Sequence, residues 1–66
     1  MLSARNQFAG TITSVKIGNV MAEVVVQVGG LEVVSLISRA SAERMGLKVG
    51  DQVRAIIKST EVMIDK

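Results

Sequence analysis

Ser3, Ala4, Arg5 and Asn6 set a hydroxyl, a guanidinium and an amide side by side, just ahead of the first hydrophobic stretch. Lys58, Ser59 and Thr60 place an ammonium and two hydroxyls at the end of another such stretch. Both runs are rich in hydrogen-bond donors, and neither contains a carboxylate. Brought together, they would form a compact donor pocket for an anion. Taken singly, residues 3–6 also read as a polar terminus and residues 58–60 as a solvated turn.

The rest of the chain offers little to a catalyst. It has no His and no Cys. That excludes a zinc finger, a His–Cys metal site, a disulfide framework, and Ser-His-Asp or Cys-His nucleophilic chemistry. The carboxylates Glu23, Glu32, Glu43, Asp51, Glu61 and Asp65 form no pair at a spacing suited to acid–base work. A Ser–Lys dyad fails as well, because the adjacent Lys58 and Ser59 would point to opposite faces of a strand. No Gly-x-x-x-x-Gly-Lys loop cradles a phosphate. The expected protein is not an enzyme, and it needs no cofactor and no direct protein-to-metal ligands.

Composition narrows the class further. The 66 residues suit one domain, spanning residues 1–66, with 48% of them apolar. A mean hydropathy of +0.43 argues against disorder. Phe8 is the only aromatic residue, so a base-stacking surface for nucleic acid is not expected. Eight basic and six acidic residues give a net charge of +2, scattered without the basic run that tracks a phosphate backbone. The first residues lack the apolar core of a signal peptide, and the apolar runs are too short to span a bilayer. A soluble, cytoplasmic protein without a membrane partner is the expectation.

The elements that must position the donors are mostly strands. Residues 8–17, 22–28, 31–38 and 52–58 carry the Val, Ile and Thr content of half-buried strands. Gly18-Asn19 reads as a turn, and Gly29-Gly30 as a hairpin with positive φ at both positions. Residues 41–46 predict a short helix, with Ser41 as N-cap and Gly46 closing its end. Val62-Met63-Ile64 predicts a short fifth strand. The order β-β-β-α-β-β predicts a mainly β fold, a small five-stranded OB-like barrel with one short helix.

Strict alternation fails on several strands. Val25 shares a face with Glu23 and Gln27, and Ile56 shares one with Arg54 and Lys58. Val33-Val34 and Leu36-Ile37 put apolar groups on both faces of one strand. Left uncovered, these side chains would make a large adhesive patch. Small domains without disulfides or metals commonly gain support by oligomerisation, so a homo-oligomer is expected.

The run S-A-R-N-Q at residues 3–7 resembles the opening signature of the Mop domain, the molybdate-binding unit of the molbindins. The likeness continues through G-T-I-T-S-V-K-I-G at 10–18, V-M-A-E-V at 20–24, G-L-K-V-G at 46–50, A-I-I-K-S-T at 55–60 and V-M-I at 62–64. The resemblance implies an OB-like fold and a homo-hexamer, a trimer of dimers with strands exchanged between subunits. It implies molybdate, or tungstate, held at subunit interfaces for intracellular storage and homeostasis.

Carried over residue by residue, Ser3, Ala4, Arg5 and Asn6 would supply one wall of the site, with Lys58 and Ser59 supplying another. Val20, Ser41 and Thr60 are further candidates, although for Ser41 the helix cap remains an alternative. Relatives often have Ala and then Ser after the Lys, whereas this chain has Ser59-Thr60, which leaves open which hydroxyl is used. Met21 stands where relatives often have Asn. A donor-only pocket suits fully deprotonated oxyanions such as molybdate, tungstate or sulfate, because protonated phosphate needs an acceptor. The competing readings are a nucleic-acid-binding OB module and a purely structural oligomerisation domain.

Overall fold

The computed structural model describes residues 4–66. Ser3, one of the expected site residues, lies outside the described residues. Four stretches rich in β-branched side chains, which pack well on a pleated surface, form the strands. These are β1 (Asn6–Ile17), β2 (Met21–Val28), β3 (Leu31–Ser38) and β4 (Gln52–Ile57). A single helix, α1 (Arg39–Met45), lies between β3 and β4. The strands form one antiparallel sheet in the order β3-β2-β1-β4.

The long β1 serves two neighbours with different halves. Asn6 through Thr11 pair with β4, and Thr11 through Ile17 pair with β2. A bulge between Ile12 and Ser14 shifts the alternation by one residue. Ile12 and Val15, three positions apart, can therefore both pack into the core. That core is built on Ile12, Val24 and Val26, with Val15, Val28, Ile37, Leu47 and Val53 against it. The loop before β4 is tied to the same point. The Gly50 N–H donates to the Ile12 carbonyl at 2.8 Å, and the Ile12 N–H donates to the Asp51 carbonyl at 3.0 Å.

The mainly β class and the single short helix agree with the sequence reading, but three details differ. The helix begins at Arg39, and Ser38 rather than Ser41 caps it. Ser38 sits at φ −67°, ψ 147°, and its hydroxyl accepts the Ser41 N–H at 3.1 Å. The reason is that β3 runs to Ser38, the register partner of Met21, so the chain leaves the ladder at a residue already fit to cap. Gly46 closes the helix in the left-handed region at φ 62°, as expected. Of the hairpin pair, only Gly29 has positive φ (56°).

The third difference is the fifth strand. Residues 59–61 form a 3₁₀ turn, and no strand follows within residues 62–66. Met63 and Ile64 are 92% and 90% exposed. The turn carries the chain off the end of β4, and no free edge of its own sheet receives residues 62–64. The unpaired edges of β3 and β4 face an open cleft of about 690 Å³. Val33, Ile37, Leu47, Val53 and Ile57 are among its lining residues. The barrel is thus open along one side.

Among the second-face apolar groups, Val25 is half-buried, while Val34, Leu36 and Ile56 are as uncovered as the broken alternation predicts. Val34, Leu36 and Ile56 are 60%, 67% and 42% exposed.

Candidate functional site

The ladder between β1 and β4 ends with Asn6 opposite Ile57. Arg5 precedes that pair and Lys58 follows it, so the two donor runs emerge at the same end of the same ladder. The sequence places them more than fifty residues apart; the register brings them together. Both cations are exposed, and among the described residues neither joins an ion pair. Lys58 continues the extended backbone of β4 at φ −66°, ψ 131°, and its carbonyl accepts the Glu61 N–H at 2.9 Å. Ser59 and Thr60 occupy the 3₁₀ turn that this bond closes, and both are exposed. Glu61 supplies one carboxylate to this turn, which the donor-only reading of residues 58–60 left out.

Arg5 is held in a bend. The Gln7 N–H donates to the Arg5 carbonyl at 3.1 Å, and the Gln7 side-chain amide donates to the Ala4 carbonyl. Arg54 in turn donates from its guanidinium to the Gln7 Oε1 at 3.1 Å. Gln7 and Arg54 were not singled out as site residues from the sequence. They meet because Gln7 opposes Ile56 and Ala9 opposes Arg54, which makes Gln7 and Arg54 diagonal neighbours on one face. The position of Gln7 in S-A-R-N-Q was the available signal for one of them. For Arg54 there was none without the register.

Val20 and Ser41 lie elsewhere. The Val20 carbonyl accepts the Arg39 N–H at 2.7 Å, and Met21 pairs with Ser38. The Ser41 hydroxyl accepts from Ser38 at 2.8 Å and from the Arg44 guanidinium at 3.2 Å. This second cluster sits at the Ile17 end of β1, whereas Arg5 and Lys58 sit at its Asn6 end. Eleven residue steps of strand separate the ends, roughly 36 Å if straight. One chain therefore brings Ala4, Arg5, Asn6, Lys58, Ser59 and Thr60 to one locality but leaves Val20 and Ser41 at the other.

The groups of the first locality are of the kind that suit an anion by hydrogen bonds and charge. Two cations, Arg5 and Lys58, stand at one end of the β1–β4 ribbon beside two hydroxyls, and Arg54 reaches Gln7 from the middle of the ladder. Among the described residues, no group of three or more His, Cys, Asp or Glu side chains could hold a metal ion. No helix of the described residues is long and apolar enough to cross a membrane.

Comparison with known proteins adds an independent line. The TOBE domain family model matches residues 2–64. The molybdenum-pterin-binding protein 3 of Clostridium pasteurianum is 52% identical over 64 residues, covering 96% of this chain and 94% of that protein. The solved structure of MopII from Clostridium pasteurianum superposes with a TM-score of 0.94 at 45% identity, with both chains covered in full. A molybdate-binding protein from Sporomusa ovata superposes with a TM-score of 0.95 at 35% identity, covering 100% of this chain and 98% of the other.

Proposed function

The chain belongs to the TOBE domain family, in its molbindin (Mop) branch, and from that membership we propose that it binds molybdate and holds it as a cytoplasmic store. The observation that carries this reading is the pairing of Asn6 with Ile57, which sets Arg5 beside Lys58 at one ladder end. The Sporomusa ovata neighbour is itself a molybdate-binding protein, which supports the same ligand here. Ala4, Arg5 and Asn6 form one wall, with Ser3 the adjoining candidate in sequence, and Lys58 with Ser59 or Thr60 forms the second. Arg5 and Lys58 provide charge-assisted hydrogen bonds, each contributing roughly 1.5–3 kcal/mol. Backbone N–H groups and the hydroxyls complete the oxygen shell. A tetrahedral dianion held in this way needs no covalent or redox step, and the protein acts as a binding module rather than an enzyme.

The active form is a homo-hexamer, a trimer of dimers, with sites at its interfaces. The separation of Val20 and Ser41 from Arg5 and Lys58 supports this, because those residues join one site only if a second subunit supplies them. The open side of the barrel supports it too. The cleft between β3 and β4 lacks a strand, and residues 62–64 lack a sheet, so exchange between copies satisfies both.

The test is to incubate the protein with molybdate, desalt it, and measure molybdenum per subunit alongside light-scattering mass. Retained molybdenum on a hexamer is expected, with Arg5→Ala and Lys58→Ala each lowering occupancy. A wild-type protein that retains no molybdenum overturns the reading.

A further inference from the structure

Resting on the molybdate reading above, we infer that Gln7 and Arg54 act as a positioning relay that presents Arg5 and its neighbouring backbone to the oxyanion. The geometry has a direction. A glutamine amide has one accepting end and two donating hydrogens. The Arg54 guanidinium donates to Oε1 at 3.1 Å, which fixes the amide so that Nε2 faces the Ala4 carbonyl and donates to it. The backbone N–H of Gln7 meanwhile donates to the Arg5 carbonyl at 3.1 Å. One residue thus grips the two residues that start the arm, and its orientation is set by a cation from β4.

The arm has few other restraints. Arg5 precedes the first registered ladder pair, so no strand hydrogen bond holds it. Its side chain is exposed, and backbone beyond the last ladder pair is held only by such local bonds. Gln7 is half-buried while Arg54 is exposed, so the relay runs from the sheet surface into the bend. Ordering the donors before the anion arrives removes an entropy cost from binding. Partners that orient the ligands of a bound metal ion typically change its affinity by roughly 10–100-fold when removed, and the lower end of that range is the scale expected of this relay.

The relay separates from a simple charge effect because Gln7 is neutral. Molybdate titrations at low and high salt would compare wild type with Gln7→Met, Arg54→Met and the double variant. Positioning predicts that Gln7→Met lowers affinity by about tenfold without any change in charge. It predicts that the double variant loses little more than either single, and that the loss persists at high salt. An effect of the Arg54 charge alone leaves Gln7→Met at wild-type affinity and fades with salt, and either result overturns the relay. Light-scattering mass and ligand-free melting temperature serve as controls; a loss of affinity that tracks a fall in either assigns Gln7 to the fold and overturns the relay too.

A second readout needs no ligand. Amide hydrogen exchange at Arg5 and Asn6 in the ligand-free protein should quicken in both single variants, and unchanged exchange overturns the relay. If wild-type protein retains no molybdate, the functional reading falls by itself, while the exchange data still decide whether Gln7 and Arg54 order the arm.

Discussion

Gly10 lies so close to β2 that a Cβ on it would stand 2.5 Å from the carbonyl oxygen of Gln27. The same atom would meet methyl groups of Val26 and Val28 at 2.8 and 2.9 Å. The obstructing oxygen is backbone and cannot swing aside as the end of a flexible side chain can. Gly10→Ala should cost about 1–3 kcal/mol, as overpacking does. Gly30→Ala is the matched control, since a Cβ there meets nothing within 4 Å and the residue is outside the positive-φ set. Thermal unfolding at fixed protein concentration should show a clear drop for the first and little or none for the second.

The helix cap yields a prediction that discriminates between two serines three residues apart. The Ser38 hydroxyl accepts the Ser41 N–H, so Ser38→Ala should lose about 1 kcal/mol. The Ser41 hydroxyl caps no backbone group and only receives bonds from Ser38 and Arg44. Ser41→Ala should therefore cost less than Ser38→Ala in the same melts. The reverse order would return the cap to Ser41.

Ile12 is the largest side chain that is fully buried, at 1% exposure. It also sits where the bulge, β2 and the Gly50–Asp51 loop converge. Ile12→Val should cost about 0.5–1.5 kcal/mol and Ile12→Ala about 2–5 kcal/mol. In a domain this small the alanine variant is expected to be largely unfolded by circular dichroism, while the valine variant stays folded with a lower melting temperature.

Assembly through residues 62–64 can be checked without disturbing the core. Met63 and Ile64 touch little of their own chain, being 92% and 90% exposed. Met63→Asp with Ile64→Asp should leave the circular dichroism spectrum of the sheet intact and reduce the light-scattering mass below that of a hexamer. A doubly substituted protein with the wild-type mass would remove this segment from the interface.

Bound molybdate should stabilise the folded protein by an amount that grows with the logarithm of its concentration above the dissociation constant. At a hundred times the dissociation constant the gain is about 2.7 kcal/mol. Each subunit carries a net charge of +2, so in the proposed hexamer dianions would also relieve self-repulsion between copies. The rise in melting temperature should shrink as sodium chloride is raised, because screening weakens both effects. A melt unmoved by saturating molybdate at low salt would contradict the proposed ligand.

The sheet was legible because its signals are local. Ala22, Val24 and Val26 alternate with Glu23, Val25 and Gln27, and the structure buries the first set and leaves the second half-exposed. Gly46 closes the helix where a left-handed residue was expected, because few other residues adopt that conformation without strain. The capping serine was misread because Ser38 and Ser41 are chemically equivalent; only the end of the β2–β3 ladder chooses between them. Residues 62–64 stay unpaired in the single chain because strand propensity states a capacity to pair and cannot supply the partner. Within the proposed site, Arg5 and Lys58 stood out by their chemistry. Gln7 and Arg54 did not, since an Arg on an exposed strand position looks like solvated surface until its diagonal neighbour is known.

By itself, the sequence determined the class of chemistry and the class of fold. Side-chain types set both: clustered donors suit oxyanion binding, and β-branched periodicity makes strands. Tertiary structure alone decided which groups meet. The antiparallel register carried Lys58 to Arg5 and Arg54 to Gln7, and it sent Val20 and Ser41 to the far end of β1. It also left the barrel open between β3 and β4, with an apolar tail unpaired. Register is a property of paired backbones, fixed by burial and turn geometry across the whole sheet, so no single segment of the chain contains it.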